Sequence, residues 1–268
     1  MQRTSLVALL LTASIAGCGG GGHDAPAANP QPTSPATQVP ILSAGGIWHG
    51  LSTDNETLTL LVAETGELRS LVTVGTPPTG PPLFGSGAVV VTGERLDGAY
   101  DTGRPFSTSA GHCTFTGTLK ERVSMSITVD CTEASGTDTH STYILGYDNN
   151  YDQASSLATL AGNYEFSLSA DNFLNIDANG VIFGNYHNGP NCTVNGTVAV
   201  IDPLYNLYDV EWHLSLCEAP LTQFEGATLT GFAAANLRGT AAGSVLLLLT
   251  GMVAGNLEAL SLVYEPAQ

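Results

Sequence analysis

The chain has very little positive charge. Its 268 residues contain 24 acidic side chains but only seven lysines and arginines, for a formal net charge of −17. A protein that binds nucleic acid needs a basic patch to meet the phosphates. Lys120 and six scattered arginines cannot form such a patch, so the composition excludes nucleic acid as a partner.

The short motifs of common enzymes are also missing. The sequence has no Gly-x-Ser-x-Gly elbow, no His-Glu-x-x-His or Cys-x-x-Cys pair, no phosphate loop and no dinucleotide fingerprint. Ser86, between two glycines, is typical of a flexible turn, and Asp171, Asp177 and Asn179 lack the spacing of a calcium loop. We therefore expect a non-enzymatic protein without a metal or a cofactor. Five of the six histidines are dispersed along the predicted folded part, at positions 49, 112, 140, 187 and 213, and His23 lies before it.

No apolar run is long enough to cross a bilayer as a helix. The run from Leu6 to Gly17 follows a short segment that carries Arg3, and it ends in small residues, which is typical of a signal peptide. The other strongly apolar run, Val245–Ala254, ends at Gly-Asn and predicts a buried strand.

The end of the signal segment, Ile15-Ala16-Gly17-Cys18, resembles the lipobox of bacterial lipoproteins. The resemblance implies that the chain is cut before Cys18 and that the Cys18 thiol and the new amine are acylated. Several acyl chains, each contributing roughly 0.8 kcal/mol per buried CH₂, make such an anchor effectively permanent. By the same resemblance, Gly19 in place of aspartate implies the outer membrane as the location, with the membrane as a partner through the anchor.

A linker follows the anchor. After Gly19–Gly22 the sequence is rich in Pro, Ala, Thr and Gln up to Pro40 and shows no apolar periodicity. Extended proline-rich chain spans roughly 3.1 Å per residue, so this tether reaches up to about 70 Å. The domain prediction is a signal peptide at 1–17, a lipidated cysteine and tether at 18–40, and folded domains at 41–150 and 151–268.

The folded part is predicted to be all-β. Helix formers are scarce, whereas Gly, Thr, Ser and Asn are abundant, which favours short strands with frequent turns. Trp48 and Trp212 lie among apolar neighbours and are expected in the core. The polar stretch Asp148–Ser155 marks the predicted domain boundary. The strand predictions around it are Glu56–Ala63, Glu67–Val74, Ala88–Thr92, Phe106–Ser109, Cys113–Lys120, Val123–Cys131, Ser141–Tyr147, Cys192–Ile201, Leu207–Cys217, Thr222–Leu229, Gly231–Leu237, Ser244–Val253 and Leu257–Tyr264.

A repeat connects the two halves. Cys113-Thr-Phe-Thr-Gly117 returns 79 residues later as Cys192-Thr-Val-Asn-Gly196, and each copy is followed by one more cysteine. A turn lies midway between the two cysteines of each half, so they face each other across a hairpin. Opposed strand residues have Cβ atoms roughly 4.5–5.5 Å apart, close to disulfide geometry. The predicted bonds are Cys113–Cys131 and Cys192–Cys217.

About eight strands in each half predict two tandem antiparallel β-barrels, because eight up-and-down strands close without exposed edges. A pair of β-sandwiches is the alternative. The whole chain also resembles uncharacterised two-unit lipoproteins of Gram-negative bacteria, for instance at Tyr147–Tyr151, a resemblance that implies no activity. We expect an envelope lipoprotein that binds other envelope proteins or the membrane surface. The alternatives are a carrier of small ligands that resembles lipocalins, which needs an interior cavity, and a hydrolase with a site assembled from distant residues.

Overall fold

The computed structural model describes residues 42–75, 81–104, 110–133, 136–166, 169–187, 191–219, 221–237, 243–253 and 256–266. Within these ranges the protein is all-β, with sixteen strands and two short helical turns. The first eight strands are Gly46–Ser52 (β1), Glu56–Val62 (β2), Glu67–Val74 (β3), Leu83–Thr92 (β4), Arg95–Gly103 (β5), Ala110–Lys120 (β6), Ser124–Glu133 (β7) and Asp138–Asp148 (β8). A helical turn at Leu157–Leu160 (α1) precedes Gly162–Phe166 (β9), Ser169–Ile176 (β10), Val181–His187 (β11), Asn191–Val200 (β12), Tyr208–Ser215 (β13), Thr228–Ala235 (β14), Val245–Val253 (β15) and Asn256–Pro266 (β16).

The strands form two closed antiparallel barrels of eight strands each. In barrel 1, β1 pairs with β2 and also with β8, where Trp48 lies opposite Tyr147. In barrel 2, β9 pairs with β10 and with β16, where Glu165 lies opposite Glu265. The prediction of an all-β fold with two eight-stranded barrels is therefore confirmed, and the sandwich alternative is wrong.

Alternating side chains fill the two barrels. Along β7, Met125, Ile127 and Val129 are buried inside barrel 1, while the intervening residues face outward. Glycine makes room for a ring inside barrel 1, since a Cβ atom on Gly98 would lie 2.2 Å from the ring of Phe115. Apolar side chains thus occupy the volume that an empty barrel would offer to a ligand.

Two strand predictions need correction around β14. The segment predicted as a strand at Thr222–Leu229 begins with a 3-10 turn at Leu221–Phe224, and a single strand, β14, follows from Thr228. Residues three apart in a 3-10 turn lie on one side, so Leu221 and Phe224 both reach the core of barrel 2.

In barrel 1, the sequence patterns did not predict β5. Gly98 and the charged residues Arg95 and Asp97 interrupt its apolar pattern. The predicted strand Phe106–Ser109 lies outside the described residues.

The two disulfides join the pairs that the sequence predicts, Cys113–Cys131 and Cys192–Cys217. In barrel 1 the cysteines are directly opposed across β6 and β7. In barrel 2, Thr193 pairs with Ser215, so the continuing register places Leu216 opposite Cys192. Leu216 has a positive φ of 53°, and this left-handed residue turns its own side chain to solvent and brings Cys217 to the bond instead.

The two barrels pack against each other through a third apolar cluster. Outer faces of β1 and β2 contact those of β14 and β15. Arg69 is only 6% exposed here, and its guanidinium lies 5.0 Å from the ring centroid of Phe232. The buried members of this cluster, which we call the barrel interface, are Ile47, Leu61, Ala63, Tyr151, Leu207, Phe232, Ala234 and Leu248.

The segment that joins the barrels is fixed to barrel 2 by two buried asparagines. Asn150 Nδ2 and Asn206 Nδ2 both donate to the carbonyl of Ala235, each at 2.6 Å. Asn206 Nδ2 also donates to the carbonyl of Asn150, and the Ala235 amide donates back to Asn206 Oδ1 at 3.1 Å. Buried amides with satisfied donors and acceptors order this segment.

Candidate functional site

The mouth of barrel 1 at the β1–β2 end contains a small pocket. Its volume is about 110 Å³, and buried Thr102 and exposed Glu133 line it near the Cys113–Cys131 bond. Pockets that enclose a drug-sized ligand measure about 300–1,000 Å³. The pocket therefore has room for a few atoms but not for the ligand of a lipocalin-like carrier.

A carboxylate beside the same mouth is held by hydroxyl groups. Tyr143 and Ser141 both donate to Glu56 Oε2, the serine at 3.2 Å. Burial raises the pKa of the Tyr143 phenol, and the bond to Glu56 raises it further. Burial likewise raises the pKa of Tyr100, with Glu56 as the second cause. Both phenols therefore stay neutral, and Tyr143 serves as a hydrogen-bond donor that orients Glu56.

A shallow groove of about 380 Å³ lies on the outer wall of barrel 1, across β6, β7 and β8. Two histidine–aspartate pairs line or border it. His112 Nδ1 is 2.8 Å from Asp101 Oδ1, and His140 Nδ1 is 2.6 Å from Asp130 Oδ1. All four side chains are at least 60% exposed, so these are solvated cross-strand pairs.

Two other histidines connect a carboxylate to a threonine. His49 Nδ1 is 3.0 Å from Thr59 Oγ1, and its Nε2 is 3.7 Å from Asp148 Oδ2. His213 Nδ1 is 3.0 Å from Thr228 Oγ1, with Nε2 2.9 Å from Glu211 Oε1. Burial lowers the pKa of His49, and Asp148 opposes that shift.

These chains have the order of an acid, a base and a hydroxyl, as nucleophilic catalysis requires. Acyl transfer also needs backbone N–H groups that are free to bind an oxyanion. Thr59 lies within β2, whose backbone pairs with β1 on one side and β3 on the other. The backbone N–H groups of this strand are thus used in pairing on both sides, and they do not supply the oxyanion donors that acyl transfer needs.

Arg122 forms a clamp beside the barrel interface. It occupies the turn after β6 with a positive φ of 52°. Its guanidinium contacts Asp152 and Glu64 and lies 4.8 Å from the ring centroid of Tyr205, which stacks on Tyr151 at 4.9 Å. The turn midway between Cys113 and Cys131 therefore ties barrel 1 to the joining segment and to barrel 2.

An open cleft of about 660 Å³ lies next to this clamp. His49, Arg122 and Tyr147 are among its lining residues. The carboxylates of Glu64 and Asp152 and the ring of Tyr205 already contact the Arg122 guanidinium. The role of Arg122 is therefore structural, since its charge neutralises the two carboxylates beside the barrel interface.

Several predicted site residues have a definite place. Ser86 lies within β4, opposite Arg69 and Asp101, and so the expectation of a flexible turn is wrong. Asp177 Oδ1 accepts from the amides of Asn179 and Val181, each at 2.8 Å, which is a hairpin turn. Cys18 and the side chains of Asp171 and His187 lie outside the described residues.

The described part of the chain contains no group of three or more His, Cys, Asp or Glu side chains positioned to hold a metal ion. In that same part, no helix has the length and apolar character needed to cross a membrane.

Comparisons with known proteins give little beyond this. No protein-family model and no curated protein matches the chain. One similar solved structure is the crystal structure of a "putative outer membrane protein" from Bacteroides fragilis, with 12% sequence identity and a TM-score of 0.24. The match covers 85% of this chain and 98% of the other.

Proposed function

We propose that the protein is a lipid-anchored lipoprotein of the bacterial cell envelope, held at the outer membrane, whose barrels bind other envelope components without catalysis. The use of cysteine carries the proposal. Four of the five cysteines pair in two hairpin disulfides, which leaves Cys18 as the odd one. Disulfides persist in oxidising compartments outside the cytoplasm. An exported chain whose remaining cysteine follows Ile15-Ala16-Gly17 fits lipidation at Cys18.

The chemistry of the walls supports a binding role over a catalytic one. The acid–histidine–threonine chains lie on strand surfaces, where closed pairing uses the backbone donors that an oxyanion would need. The His112 and His140 pairs are solvated, and their Nδ1 atoms are already bonded to aspartate. A hydrolase would have to draw its oxyanion donors from the loops.

The filled barrels favour surface binding over transport of a small molecule. The pocket at the mouth of barrel 1 measures about 110 Å³. The two largest rings of the protein, Trp48 and Trp212, are fully buried, one inside each barrel. The outer walls therefore remain as the surfaces through which partners are bound.

Metabolic labelling with radioactive palmitate tests the anchor. Wild type should incorporate label and fractionate with the outer membrane, whereas Cys18→Ala should remain uncut and unlabelled. The matched control is Cys113→Ala with Cys131→Ala, which removes two cysteines but keeps Cys18 and should still be labelled. Label that persists in Cys18→Ala would contradict the lipoprotein proposal.

A second variant tests the location. By the lipobox resemblance, Gly19→Asp should retain the labelled protein in the inner membrane. If wild type and Gly19→Asp both fractionate with the inner membrane, the outer-membrane part of the proposal is wrong while the anchor stands.

A further inference from the structure

The outer wall of barrel 2 carries a row of amide and aromatic side chains. Strand register places Asn163, Asn175, Phe183 and Asn195 side by side across β9, β10, β11 and β12. The inward-facing neighbours Leu174 and Ile182 belong to the core, so the alternation turns this row to solvent. Asn175 Nδ2 donates to Asn163 Oδ1 at 2.6 Å, which leaves the Asn163 amide donors and the Asn175 carbonyl available to a ligand.

Two more apolar side chains extend the row into a surface. Phe173 lies diagonally from Phe183, with ring centroids 5.9 Å apart. Phe183 and Val181 are each 51% exposed, and Phe173 is 36% exposed. We call the six residues Asn163, Phe173, Asn175, Val181, Phe183 and Asn195 the β10–β12 wall.

The charge of this wall sets it apart from the rest of the chain. The protein has a net charge of −17, yet none of the six side chains is charged. Three acidic neighbours lie at its edge: Glu165 beside Phe173, Asp177 before Val181, and Glu211, which contacts His213 opposite Asn195. The wall itself offers no charge to pair with a charged partner, and its acidic edge repels an anionic one, so a neutral partner fits it best.

We propose that the β10–β12 wall binds the sugar rings of a neutral polysaccharide. A pyranose presents one face of polarised C–H groups, which pack on the negative face of an aromatic ring. Its hydroxyl groups both donate and accept hydrogen bonds, as the amides that flank Phe183 do. Along the row, Asn175, Phe183 and Asn195 present an amide, a ring and an amide. A polysaccharide, whose sugar units have apolar faces and hydroxyl edges, offers matching groups.

The other barrel supplies a contrast. Leu51 and Ile144 are opposed on the outer wall of barrel 1 and are 55% and 71% exposed. Their cross-strand neighbours Thr57 and Ser126 are short hydroxyl side chains, so this patch has neither ring nor amide. It is as apolar and as exposed as the β10–β12 wall but lacks the features that recognise a sugar.

Depletion of the protein from solution by insoluble polysaccharides tests the proposal. The purified full chain is mixed with chitin or cellulose, which are uncharged, or with peptidoglycan sacculi, whose peptide stems are charged, in an amine-oxide detergent, because sugar-headed detergents compete for such a site. Wild type should bind chitin or cellulose, and binding to chitin but not to cellulose would show that N-acetylated sugars are required. Phe183→Ala should weaken binding about tenfold, the effect of about 1.4 kcal/mol, and Asn195→Leu should also weaken it. Ile144→Ala should bind as wild type does.

The outcomes separate clearly. Phe183 is half exposed, so circular dichroism should show both alanine variants folded and melting near the wild-type temperature. No depletion by chitin or cellulose, even with depletion by sacculi, or equal losses in Phe183→Ala and Ile144→Ala, would overturn the proposal. The assay does not need the lipid anchor, so a failure at Cys18 leaves the result interpretable.

Discussion

Each barrel begins with a hydrogen bond from an aromatic side chain to the carbonyl four residues before it, but the aromatic residue differs. In barrel 1, Trp48 Nε1 donates to the carbonyl of Ala44 at 2.9 Å, and in barrel 2 the Tyr164 hydroxyl donates to the carbonyl of Leu160 at 2.7 Å. Each bond reaches back four residues and ties the entering chain to the first strand. The halves therefore share a contact even where the spacing from this aromatic to the following cysteine differs, 65 residues against 28.

The barrels differ in the hydrogen bonding of their buried tryptophan. Barrel 2 contains Trp212, which is fully buried on β13, and its Nε1 has no hydrogen-bond partner among the described residues. Barrel 1 satisfies its indole within the entering segment. Because the chain has two tryptophans, one in each barrel, variants that keep only one of them report the unfolding of one barrel by fluorescence.

The largest expected effect concerns the barrel interface. Phe232 is 2% exposed and lies under Arg69, and truncation of a buried Phe typically costs about 3–5 kcal/mol. Phe232→Ala should therefore separate the urea transitions of the two barrels. Single-tryptophan variants, Trp212→Phe for barrel 1 and Trp48→Phe for barrel 2, measure each transition, and each is compared with the same variant that retains Phe232, because both reporter substitutions destabilise the protein. Phe115→Ala, inside barrel 1, is the control and should destabilise without separating them. Coincident transitions in Phe232→Ala would show that Phe232 is not needed to couple the barrels.

Removal of a disulfide should have the second-largest effect on stability. The two disulfides close loops of 18 and 25 residues, for which the chain-entropy model gives about 3 kcal/mol each. With the interface intact, replacing Cys113 and Cys131 by alanine should lower the midpoints of both barrels. In the Phe232→Ala background it should lower that of barrel 1 alone. Replacing Cys192 and Cys217 should give the mirror result, and a loss confined to one barrel in both backgrounds would contradict the coupling.

The sequence predicted the parts of the fold that repeat in local patterns. Alternation was sufficient to predict β7, and the cysteines placed about turns were sufficient for both disulfides. The role of Arg122 could not be predicted, because its partners Glu64 and Asp152 lie 58 and 30 residues away. Arg69 similarly occupies an outward position that in an isolated barrel would be solvated. The β10–β12 wall depends on register across four strands, which single-strand patterns do not contain.

Removing the two entry bonds should have a smaller effect. Tyr164→Phe loses one neutral hydrogen bond and leaves the Leu160 carbonyl unpaired, which costs about 1 kcal/mol. Trp48→Phe should cost more, because ring volume is lost as well as the bond. Urea denaturation of full-length variants measures both. Tyr205→Phe keeps the stack on Tyr151 and should change stability by less than about 0.5 kcal/mol, and a loss as large as that of Tyr164→Phe would remove the special role of the entry bond.

The smallest effect should be a difference in pH dependence between the barrels. Burial lowers the pKa of His49 in barrel 1 below its ordinary 6.5. The unfolded chain then binds a proton before the folded one does, so stability present above pH 6.5 is lost as pH falls through the folded pKa. In barrel 2, burial and then Glu67 raise the pKa of Asp209 above its ordinary 3.8. The stability that Asp209 contributes depends on pH in the opposite direction: it is present below pH 3.8 and is lost as pH rises through the raised pKa of the folded state.

Substitution should therefore act in different pH ranges. His49→Gln should flatten the decline in stability between pH 7 and 5, to a limited extent because the side chain is 47% exposed. Asp209→Asn should raise stability at neutral pH, where the carboxylate faces Glu67 across the interface, and the gain should vanish as the wild-type carboxyl becomes protonated. Urea midpoints from pH 3.5 to 7.5 measure both variants. A constant offset of Asp209→Asn across the whole range would show that packing, and not the charge beside Glu67, determines the effect.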